Sequence, residues 1–332
     1  MAIEIKGTGK ATMGRRISNH DLAAGIEFFV DTSDEWIRSH TGIGARYMVD
    51  ENTRSSDLAA AAGIKALSMA EPGLSPEEAA LTIDLIVVAT VTPDYYGCPS
   101  TACVVQEKIG AKNAAAMDVT AGCTGFIYAL ETAAGLLAIS PERKRALVTG
   151  AETLTKFTDW SDRASCVLFG DGAGAVVIEK TSDDRGLPVR GLIRSTLSAD
   201  GSGAGHIVFA GKEKGGPIQI KINGQAVYNF AVKAVTDTIL KLLFLEGINS
   251  DEVDIIIPHQ ANARIIGAAA KRLKIPEEKF FLNIGEYANT SAASIPIALD
   301  ELNRQGRLKR GDLLMTIGFG GGLTFGGNLI RW

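Results

Sequence analysis

The stretch Asp118-Val-Thr-Ala-Gly-Cys-Thr-Gly-Phe-Ile-Tyr-Ala-Leu130 carries the pattern that decides the fold. An apolar, strand-like run ends in a turn of small residues, and a helix-like run follows the turn. This order predicts an α/β fold and places the thiol of Cys123 at or near the N-terminus of a helix. There the unpaired backbone N–H groups and the helix dipole favour thiolate over thiol. The sequence therefore predicts a reactive, partly exposed cysteine with a low pKa.

Two further polar residues follow apolar runs in the second half of the chain. His259 stands in Ile255-Ile-Ile-Pro-His-Gln-Ala-Asn262, and Asn289 stands in Tyr287-Ala-Asn-Thr-Ser-Ala-Ala-Ser294. Residues at the ends of such runs gather where α/β folds place their active sites. A Cys, a His and an Asn supply a nucleophile and groups that handle charge at a carbonyl. The set therefore indicates acyl transfer through a thioester.

Each of these residues also has a plainer interpretation. A cysteine in an apolar segment is more often a small buried hydrophobe than a nucleophile, and we expect Cys98, Cys103 and Cys166 to be of that kind. A lone His or Asn at a turn is often structural. The spacing also permits a papain-like cysteine protease. That interpretation has little weight, because the motif around a papain-type cysteine is absent and Cys123 lies far from the N-terminus.

The composition is that of a soluble globular protein, with 332 residues, 46% hydrophobic and 22% charged, and a net charge of −4. This length accommodates two domains. The acidic balance argues against a nucleic-acid-binding protein. No run approaches the ~18 apolar residues of a membrane helix, and no export signal is present at the N-terminus. The four scattered cysteines give neither a disulfide framework nor a zinc site, so we expect a cytoplasmic protein without a metal.

Apolar runs alternate with helical patterns in both halves, which predicts α/β layers with largely parallel strands. In the first half the patterns predict strands over residues 81–90, 114–119 and 145–150, and helices over residues 100–110 and after Cys123. In the second half they predict helices over residues 226–245, 263–273 and 291–304, and strands over residues 253–258, 280–282, 312–319 and 323–332. The repeated order predicts two halves, residues 1–184 with Cys123 and residues 185–332 with His259 and Asn289.

Two glycine-rich stretches need separate interpretations. Gly318-Phe-Gly-Gly-Gly-Leu-Thr-Phe-Gly326 joins two strand-like segments, and it is either a plain hairpin or an oxyanion hole whose N–H groups face a thioester oxygen. Gly170-Asp-Gly-Ala-Gly-Ala175 runs directly into a strand-like segment. Because a nucleotide-binding loop would lead into a helix, we interpret this stretch as a structural turn.

Several segments together resemble the β-ketoacyl-acyl-carrier-protein synthase III family, condensing enzymes of the thiolase superfamily. The resemblance covers essentially the whole chain and is carried by the Cys123 segment and by Asp31-Thr-Ser-Asp-Glu-Trp-Ile37, Thr41-Gly-Ile43, Cys98-Pro-Ser-Thr-Ala-Cys103, Asp162-Arg-Ala-Ser-Cys-Val-Leu-Phe-Gly-Asp-Gly-Ala-Gly174, His259-Gln-Ala-Asn262, Asn289-Thr-Ser-Ala-Ala-Ser294 and Phe319-Gly-Gly-Gly322. Three related groups fit less well. Elongating synthases pair Cys with two His, thiolases have a second catalytic Cys in the C-terminal part, and plant polyketide synthases typically have Pro in the glycine loop.

The resemblance implies an α/β fold of the thiolase-like, duplicated αβαβα type, a homodimer, and a two-stage reaction without a cofactor. Cys123 would take an acyl group from acyl-CoA. Malonyl-acyl carrier protein would then lose CO2 and attack the Cys123 thioester, which initiates fatty-acid synthesis. His259 Nε2 and the Asn289 amide would donate to the malonyl thioester oxygen, and the backbone N–H groups of Cys123 and Gly321 would hold the acyl oxygen.

The resemblance also implies residues for each substrate. These are Thr32, Trp36, Arg163, Gly224 and Asn262 for coenzyme A, Cys98 and Leu168 for the acyl pocket, and Arg264, Lys271, Arg272 and Lys274 for the acidic carrier protein. Trp36 and Arg163 would flank the adenine. From the sequence alone, the four basic residues fit a solvated helix face equally well.

The chain departs from the family pattern at three positions. His40 stands where an Arg is usual, Cys98 stands where a Phe is frequent, and Asn229 stands where a Lys occurs in some members. Because Cys98 is smaller than Phe, we expect a deeper acyl pocket that accepts acetyl and somewhat longer primers.

Two other functions remain possible from the sequence. A secondary-metabolite acyltransferase or ketosynthase would keep the fold and Cys123 but change the reaction. The pair of His259 and Asn289 favours decarboxylation, because plain acyl transfer does not need it. A non-enzymatic acyl-CoA-binding homologue is disfavoured, because all three chemical positions are filled.

Overall fold

The computed structural model describes residues 1–25, 30–182, 190–211 and 217–332. The strands are β1 Ala2–Ala11, β2 Arg15–Ser18, β3 Ala45–Met48, β4 Leu85–Ala89, β5 Ala115–Val119, β6 Arg145–Thr153, β7 Asp171–Thr181, β8 Gly191–Ala199, β9 Ile207–Gly211, β10 Ile218–Ile222, β11 Ile255–Pro258, β12 Leu313–Gly320 and β13 Thr324–Arg331. The helices are α1 Asn19–Ala23, α2 Asp34–Thr41, α3 Ser55–Ala70, α4 Pro76–Ala80, α5 Thr101–Ile109, α6 Gly125–Ile139, α7 Arg163–Cys166, α8 Gly224–Glu246, α9 Ala263–Leu273, α10 Ile284–Tyr287 and α11 Ser294–Arg304. Short 3-10 helices lie at Leu154–Phe157, Gly201–His206, Ser250–Glu252, Glu277–Lys279 and Ser291–Ala293.

Two mixed sheets form the centre of the described structure. The first has the strand order β1-β7-β6-β4-β5 and is parallel only where β4 pairs with β5 and β6. The second has the order β11-β12-β13-β8 and is parallel only between β11 and β12. The prediction of largely parallel strands is therefore wrong. Parallel neighbours need a crossover connection, usually a helix, whereas antiparallel neighbours do not. β13 follows β12 directly through a tight turn and therefore pairs antiparallel with it.

The helices form three layers around these two sheets. α6 and α11 share one buried cluster with strands of both sheets, so they lie between the sheets. α3 and α5 cover the outer face of the first sheet, and α8 and α9 cover the outer face of the second. The resulting sequence of layers is the αβαβα arrangement that the resemblance implies.

The central helix α6 contradicts one expectation from the sequence. Gly122–Ile139 has the length and hydropathy of a membrane-spanning helix, whereas we expected no such run. Half of this segment is buried inside the protein. A helix that packs against a sheet on each side has apolar residues all round, and this position accounts for its composition.

Local signals place several elements correctly. α9 has the predicted bounds. Ser100 caps α5 by accepting a hydrogen bond from the Cys103 N–H group, and Gly110 ends the helix at a φ of 74°. The predicted strand over residues 81–90 begins only at Leu85, because α4 and its turn occupy the residues before it. Residues 280–282 make a single bridge, from Phe280 to Ile256, and form no strand.

The interpretation of Gly170–Ala175 as a turn is also wrong, because β7 begins at Asp171. The glycines in this strand are explained by the close approach of α11. A Cβ atom on Gly174 would lie 2.5 Å from the backbone nitrogen of Ile297. The predicted division between residues 184 and 185 lies outside the described residues.

Candidate active site

One cavity of about 540 Å³ receives residues from both predicted halves. Of the sequence-predicted residues, its wall contains Trp36, Cys123, Leu168, Gly224, His259, Asn262, Arg264, Asn289 and Gly321. The remainder of the wall is largely apolar and includes Leu154, Phe169, Ile207, Phe209, Ile220, Ile222, Val227 and Phe319. The apolar side chains suit an acyl chain, and the polar groups are few and close together.

Cys123 lies in the turn between β5 and α6, where the glycine-rich hairpin packs against it. Gly122 has a φ of 54°, and a Cβ there would lie 2.4 Å from the carbonyl oxygen of Gly321. A Cβ on Gly320 would lie 2.7 Å from the Cβ of Cys123. Glycine is therefore required on both sides of this contact, which brings the hairpin backbone next to the thiol.

The predicted low pKa of Cys123 is wrong. The thiol is half-buried, and burial raises its pKa to about 11. A hydrogen bond from Ser291 and the backbone N–H groups of Gly321 and Cys123 lower the pKa but do not outweigh burial. The N–H groups of Thr124 and Gly125, at the start of the helix, donate instead to carbonyl groups within the turn. The resting nucleophile is therefore a neutral thiol.

The other three cysteines divide into two kinds. Cys166 is buried as expected, but Cys98 and Cys103 are exposed. Cys98 lies in an irregular segment before α5, and Cys103 lies on the outer side of that helix. The expectation that both are small buried hydrophobes is therefore wrong.

His259 follows β11 and is almost completely buried. Its backbone N–H group donates to the carbonyl oxygen of Ile317 at 2.7 Å, which continues the ladder between β11 and β12. The ring packs edge-on against Phe319, and its Nδ1 lies 2.8 Å from Ser294 Oγ. Burial lowers the pKa of His259 to about 3, so the imidazole is neutral at neutral pH.

Asn289 is held by its backbone and by its own side chain. Its N–H group donates to Leu168 O at 2.9 Å, and its carbonyl oxygen accepts from the Gly170 N–H group at 3.1 Å. The side-chain Oδ1 accepts from the Ser291 N–H group at 2.9 Å. With Oδ1 occupied, the Nδ2 group is the part of the amide that can donate to a ligand in the cavity.

Two polar residues that affect the pKa of Cys123 were not predicted from the sequence, namely Glu152 on β6 and Ser291 on the cavity wall. Glu152 is completely buried, and burial raises the pKa of its carboxyl to about 7. The available signal was an acidic residue inside an otherwise apolar strand pattern. The analysis also missed β9 and β10, although the alternation in Ile218–Ile222 is typical of a strand.

Comparison with known proteins identifies the family. Residues 243–332 match the family model described as 3-oxoacyl-[acyl-carrier-protein (ACP)] synthase III C terminal, and residues 117–201 match the model described as 3-oxoacyl-[acyl-carrier-protein (ACP)] synthase III. The chain is 46% identical to the β-ketoacyl-[acyl-carrier-protein] synthase III of Clostridium acetobutylicum, over 100% of this chain and 99% of the relative. The chain belongs to the β-ketoacyl-acyl-carrier-protein synthase III family.

Solved structures of the synthase III type have the same fold. The crystal structure of 3-oxoacyl-[acyl-carrier-protein] synthase III from Aquifex aeolicus is 42% identical, with a TM-score of 0.88 and complete coverage of both chains. A priming β-ketosynthase from a polyketide biosynthetic pathway is 30% identical, with a TM-score of 0.88 over 99% of this chain and 96% of the other. The predicted family, fold class and enzyme class are confirmed. The chain is an acyltransferase, a condensing enzyme of fatty-acid synthesis.

Of the residues expected to bind coenzyme A, Trp36, Gly224 and Asn262 line the cavity, and Arg163 packs on Trp36. The guanidinium carbon of Arg163 lies 4.2 Å from the ring centroid of Trp36, and the His40 ring stacks on Trp36 at 4.4 Å. A base stacked between two planes needs about twice such a spacing. Arg163 must therefore move off Trp36 before the two side chains can flank an adenine.

Four other expected binding residues have different local settings. Asn262 caps α9 by accepting from the Arg264 N–H group, and its Nδ2 donates to His40 O at 3.0 Å. Gly224 begins α8 with open space where a Cβ would stand. Thr32 and Cys98 do not line the cavity of this chain.

The basic residues expected to bind the carrier protein are all exposed on or next to α9: Arg264, Lys271, Arg272 and Lys274. Arg264 also lines the cavity, so the basic surface begins at the entrance to the site.

Within residues 1–25, 30–182, 190–211 and 217–332, no three His, Cys, Asp or Glu side chains are grouped to hold a metal ion.

Proposed function

We propose that this chain condenses an acyl-CoA primer with malonyl-acyl carrier protein, giving 3-oxoacyl-acyl carrier protein and CO2. The observation that carries the proposal is the meeting of Cys123, His259, Asn289 and Gly321 at one largely apolar cavity. A thiol supplies the covalent acyl carrier, and neutral donors stabilise the enolate formed by decarboxylation.

In the first stage Cys123 accepts the acyl group. The thiol attacks the carbonyl carbon of acyl-CoA, and negative charge develops on the carbonyl oxygen. The backbone N–H groups of Cys123 and Gly321 are the proposed oxyanion hole. Both groups already act on the thiol, where they lower its pKa, so they lie within reach of an acyl oxygen attached to it.

In the second stage His259 and Asn289 act on the malonyl thioester. A neutral imidazole can donate from Nε2 only in the tautomer whose Nδ1 carries no proton, and a hydrogen bond donated to Nδ1 favours that tautomer. Ser294 Oγ lies 2.8 Å from Nδ1, and its hydroxyl donates to the carbonyl oxygen of Ser291 at 2.8 Å. Because the hydroxyl has one proton, that proton must turn from Ser291 O to the ring for Nδ1 to accept it. When the Ser294 hydroxyl donates to the ring, Nε2 carries the proton and can join Asn289 Nδ2 in holding the enolate oxygen.

The partners of the reaction follow from the surface around the cavity. Trp36, Arg163, Gly224 and Asn262 are proposed to bind coenzyme A, with Thr32 nearby. The exposed cations on and next to α9 suit an acidic carrier protein.

We also infer a cytoplasmic homodimer. The exposed side chains of Tyr95 and Tyr96, beside Cys98, suit an interface between two copies.

We expect Cys98→Phe to shift the primer preference toward acetyl-CoA. Leu168 lines the cavity of its own chain, whereas Cys98 is exposed, so Cys98 would reach the acyl pocket from the partner copy. Each methylene buried in the space left by the smaller side chain adds about 0.8 kcal/mol, so two or three favour longer primers by about one to two orders of magnitude. Competition between acyl-CoAs of different length measures the shift.

Cys103→Phe is the matched control for this substitution, because Cys103 is also exposed but lies on α5. It should leave the preference unchanged. Strict acetyl selectivity in the wild type, unaltered by Cys98→Phe, would show that another residue sets the depth of the pocket.

The proposed function is tested by incubating the enzyme with acetyl-CoA and malonyl-acyl carrier protein and measuring CO2 and the carrier-protein product by mass spectrometry. We expect one CO2 for each 3-oxoacyl-acyl carrier protein.

The similarity to a priming β-ketosynthase of polyketide synthesis supports the second candidate, a secondary-metabolite enzyme. Acyl transfer to another nucleophile without CO2 would favour that candidate.

A further inference from the structure

A completely buried arginine, Arg46 on β3, lies behind the wall of the cavity. Its Nη2 donates to Asn19 Oδ1 at 2.9 Å and to the carbonyl oxygen of Val167 at 3.2 Å. Burial lowers the pKa of Arg46 to about 10, so the guanidinium is charged at neutral pH, and no acidic residue in the described ranges pairs with it. Burying a cation without a counter-ion lowers stability, which indicates that its two hydrogen bonds serve another purpose.

The first hydrogen bond leads to α2, the helix that carries Trp36. Asn19 is completely buried at the start of α1. Its Nδ2 donates to Asp34 Oδ1 at 2.9 Å and to the carbonyl oxygen of Ile43 at 2.7 Å. Asp34 is the first residue of α2, and Ile43 directly follows the glycine that ends this helix. Asn19 therefore connects Arg46 to both ends of the helix on which Trp36 lies.

The second hydrogen bond leads to α7, the helix that begins with Arg163. Val167 directly follows α7 and lines the cavity. The next residue is held from the other half of the chain, because the Asn289 N–H group donates to Leu168 O at 2.9 Å. The carbonyl group of Val167 is therefore the junction between α7 and this pairing, and Arg46 fixes the junction.

We propose that Arg46 is a positioning residue for coenzyme A, which sets the separation of α2 and α7 and hence of Trp36 and Arg163. The inference rests on the proposed function, in which these two side chains flank the adenine. The guanidinium of Arg163 must leave the face of Trp36 to admit the base. Its helix therefore needs an anchor that stays in place while the side chain moves. Such preorganisation lowers the cost of ordering the site when the ligand binds.

The geometry of the anchor determines which substitutions are informative. Nη2 alone makes both hydrogen bonds of Arg46, and neither Nε nor Nη1 has a partner among the described residues. Arg46→Met removes the donor and keeps an unbranched side chain. Arg46→Lys provides one charged nitrogen with three N–H donors, which can serve both acceptors.

The dissociation constant of coenzyme A, measured by isothermal titration calorimetry, tests this role. We expect Arg46→Met to weaken binding by about 10-fold, the effect of losing one hydrogen bond to a charged group. Arg46→Lys should restore most of the affinity. The same titration gives the number of binding sites, so a loss of folded protein lowers that number and leaves the dissociation constant unchanged.

Asn19→Ala interrupts the same connection on the side of α2. This variant should bind coenzyme A about as weakly as Arg46→Met. The variant with both substitutions should bind no more weakly than the weaker single variant, because either change already breaks the connection. Additive losses, about 100-fold in the double variant, would show that Arg46 and Asn19 act independently and would overturn the inference.

Asp300→Asn is the matched control. Asp300 is a completely buried charged residue that bonds Thr8 and Arg304 and lies outside the cavity wall. Its replacement should leave the dissociation constant at the wild-type value, and a 10-fold loss there would contradict a specific role for Arg46.

Two further results would overturn the inference. One is wild-type affinity in both Arg46→Met and Asn19→Ala, and the other is an equal loss in Arg46→Lys and Arg46→Met. If Arg46→Met does not fold, Asn19→Ala decides in the same way. Failure of the wild type to bind coenzyme A would instead refute the proposed function itself.

Discussion

Replacing His259 or Asn289 with alanine is expected to reduce malonyl decarboxylation by about 10²-fold or more, the usual effect of losing one oxyanion donor. Acyl transfer to Cys123 should stay within a few-fold of the wild-type rate, because both side chains are proposed to act on the malonyl oxygen. Release of CO2 from malonyl-acyl carrier protein measures one stage, and intact mass after incubation with acetyl-CoA measures the other. The separation of these two rates is the main expected effect.

Ser294→Ala provides an intermediate variant for the same experiment. It keeps both donors but removes the hydroxyl that sets which nitrogen of His259 carries the proton. We expect about a 10-fold loss of decarboxylation with unchanged loading, the effect of one neutral hydrogen bond. His20→Ala is the control, because His20 is exposed outside the cavity. If the His259 and Asn289 variants condensed normally while loading failed, the two stages would be assigned to the wrong residues.

Alkylation of Cys123 by iodoacetamide is expected to abolish condensation. The structure changes the order of reaction that the sequence suggests. Cys98 and Cys103 are exposed, whereas Cys123 is half-buried with a raised pKa, so the two exposed thiols should not react later than Cys123. Peptide mapping at several times should show that activity falls in step with modification of Cys123. Earlier incubation with acetyl-CoA should protect both the thiol and the activity.

The pH dependence has a definite sign. The thiolate is the form that reacts, and burial places the pKa of Cys123 near 11, so alkylation should accelerate as the pH rises from 7 to 10. Full activity in protein whose Cys123 is alkylated would exclude this residue as the nucleophile.

Features that depend on a few neighbouring residues could be predicted from the sequence. The bounds of α9 and the ends of α5 follow from apolar periodicity, a Ser cap and a terminal Gly. The positions of Cys123, His259 and Asn289 after apolar runs correctly predicted that they meet at one cavity. These signals are local, so tertiary packing did not alter them.

The features that sequence analysis missed arise from packing. The prevalence of antiparallel pairs depends on how β1, β7, β8 and β13 insert beside strands distant in the chain. The high pKa of Cys123 results from burial against the hairpin at Gly320, which no pattern within residues 118–130 contains. The charge of Glu152, on β6, raises the pKa of Cys123, an effect between distant positions that no local pattern reveals.

Intact mass spectrometry of the wild type and of Cys123→Ala after incubation with acetyl-CoA tests the central claim most directly. We expect one acetyl group on the wild-type chain, assigned to Cys123 by peptide mapping, and none on Cys123→Ala. Subsequent malonyl-acyl carrier protein should remove that group and yield 3-oxobutanoyl-acyl carrier protein. An acetyl group carried by Cys123→Ala, or condensation at the wild-type rate without Cys123, would contradict the account.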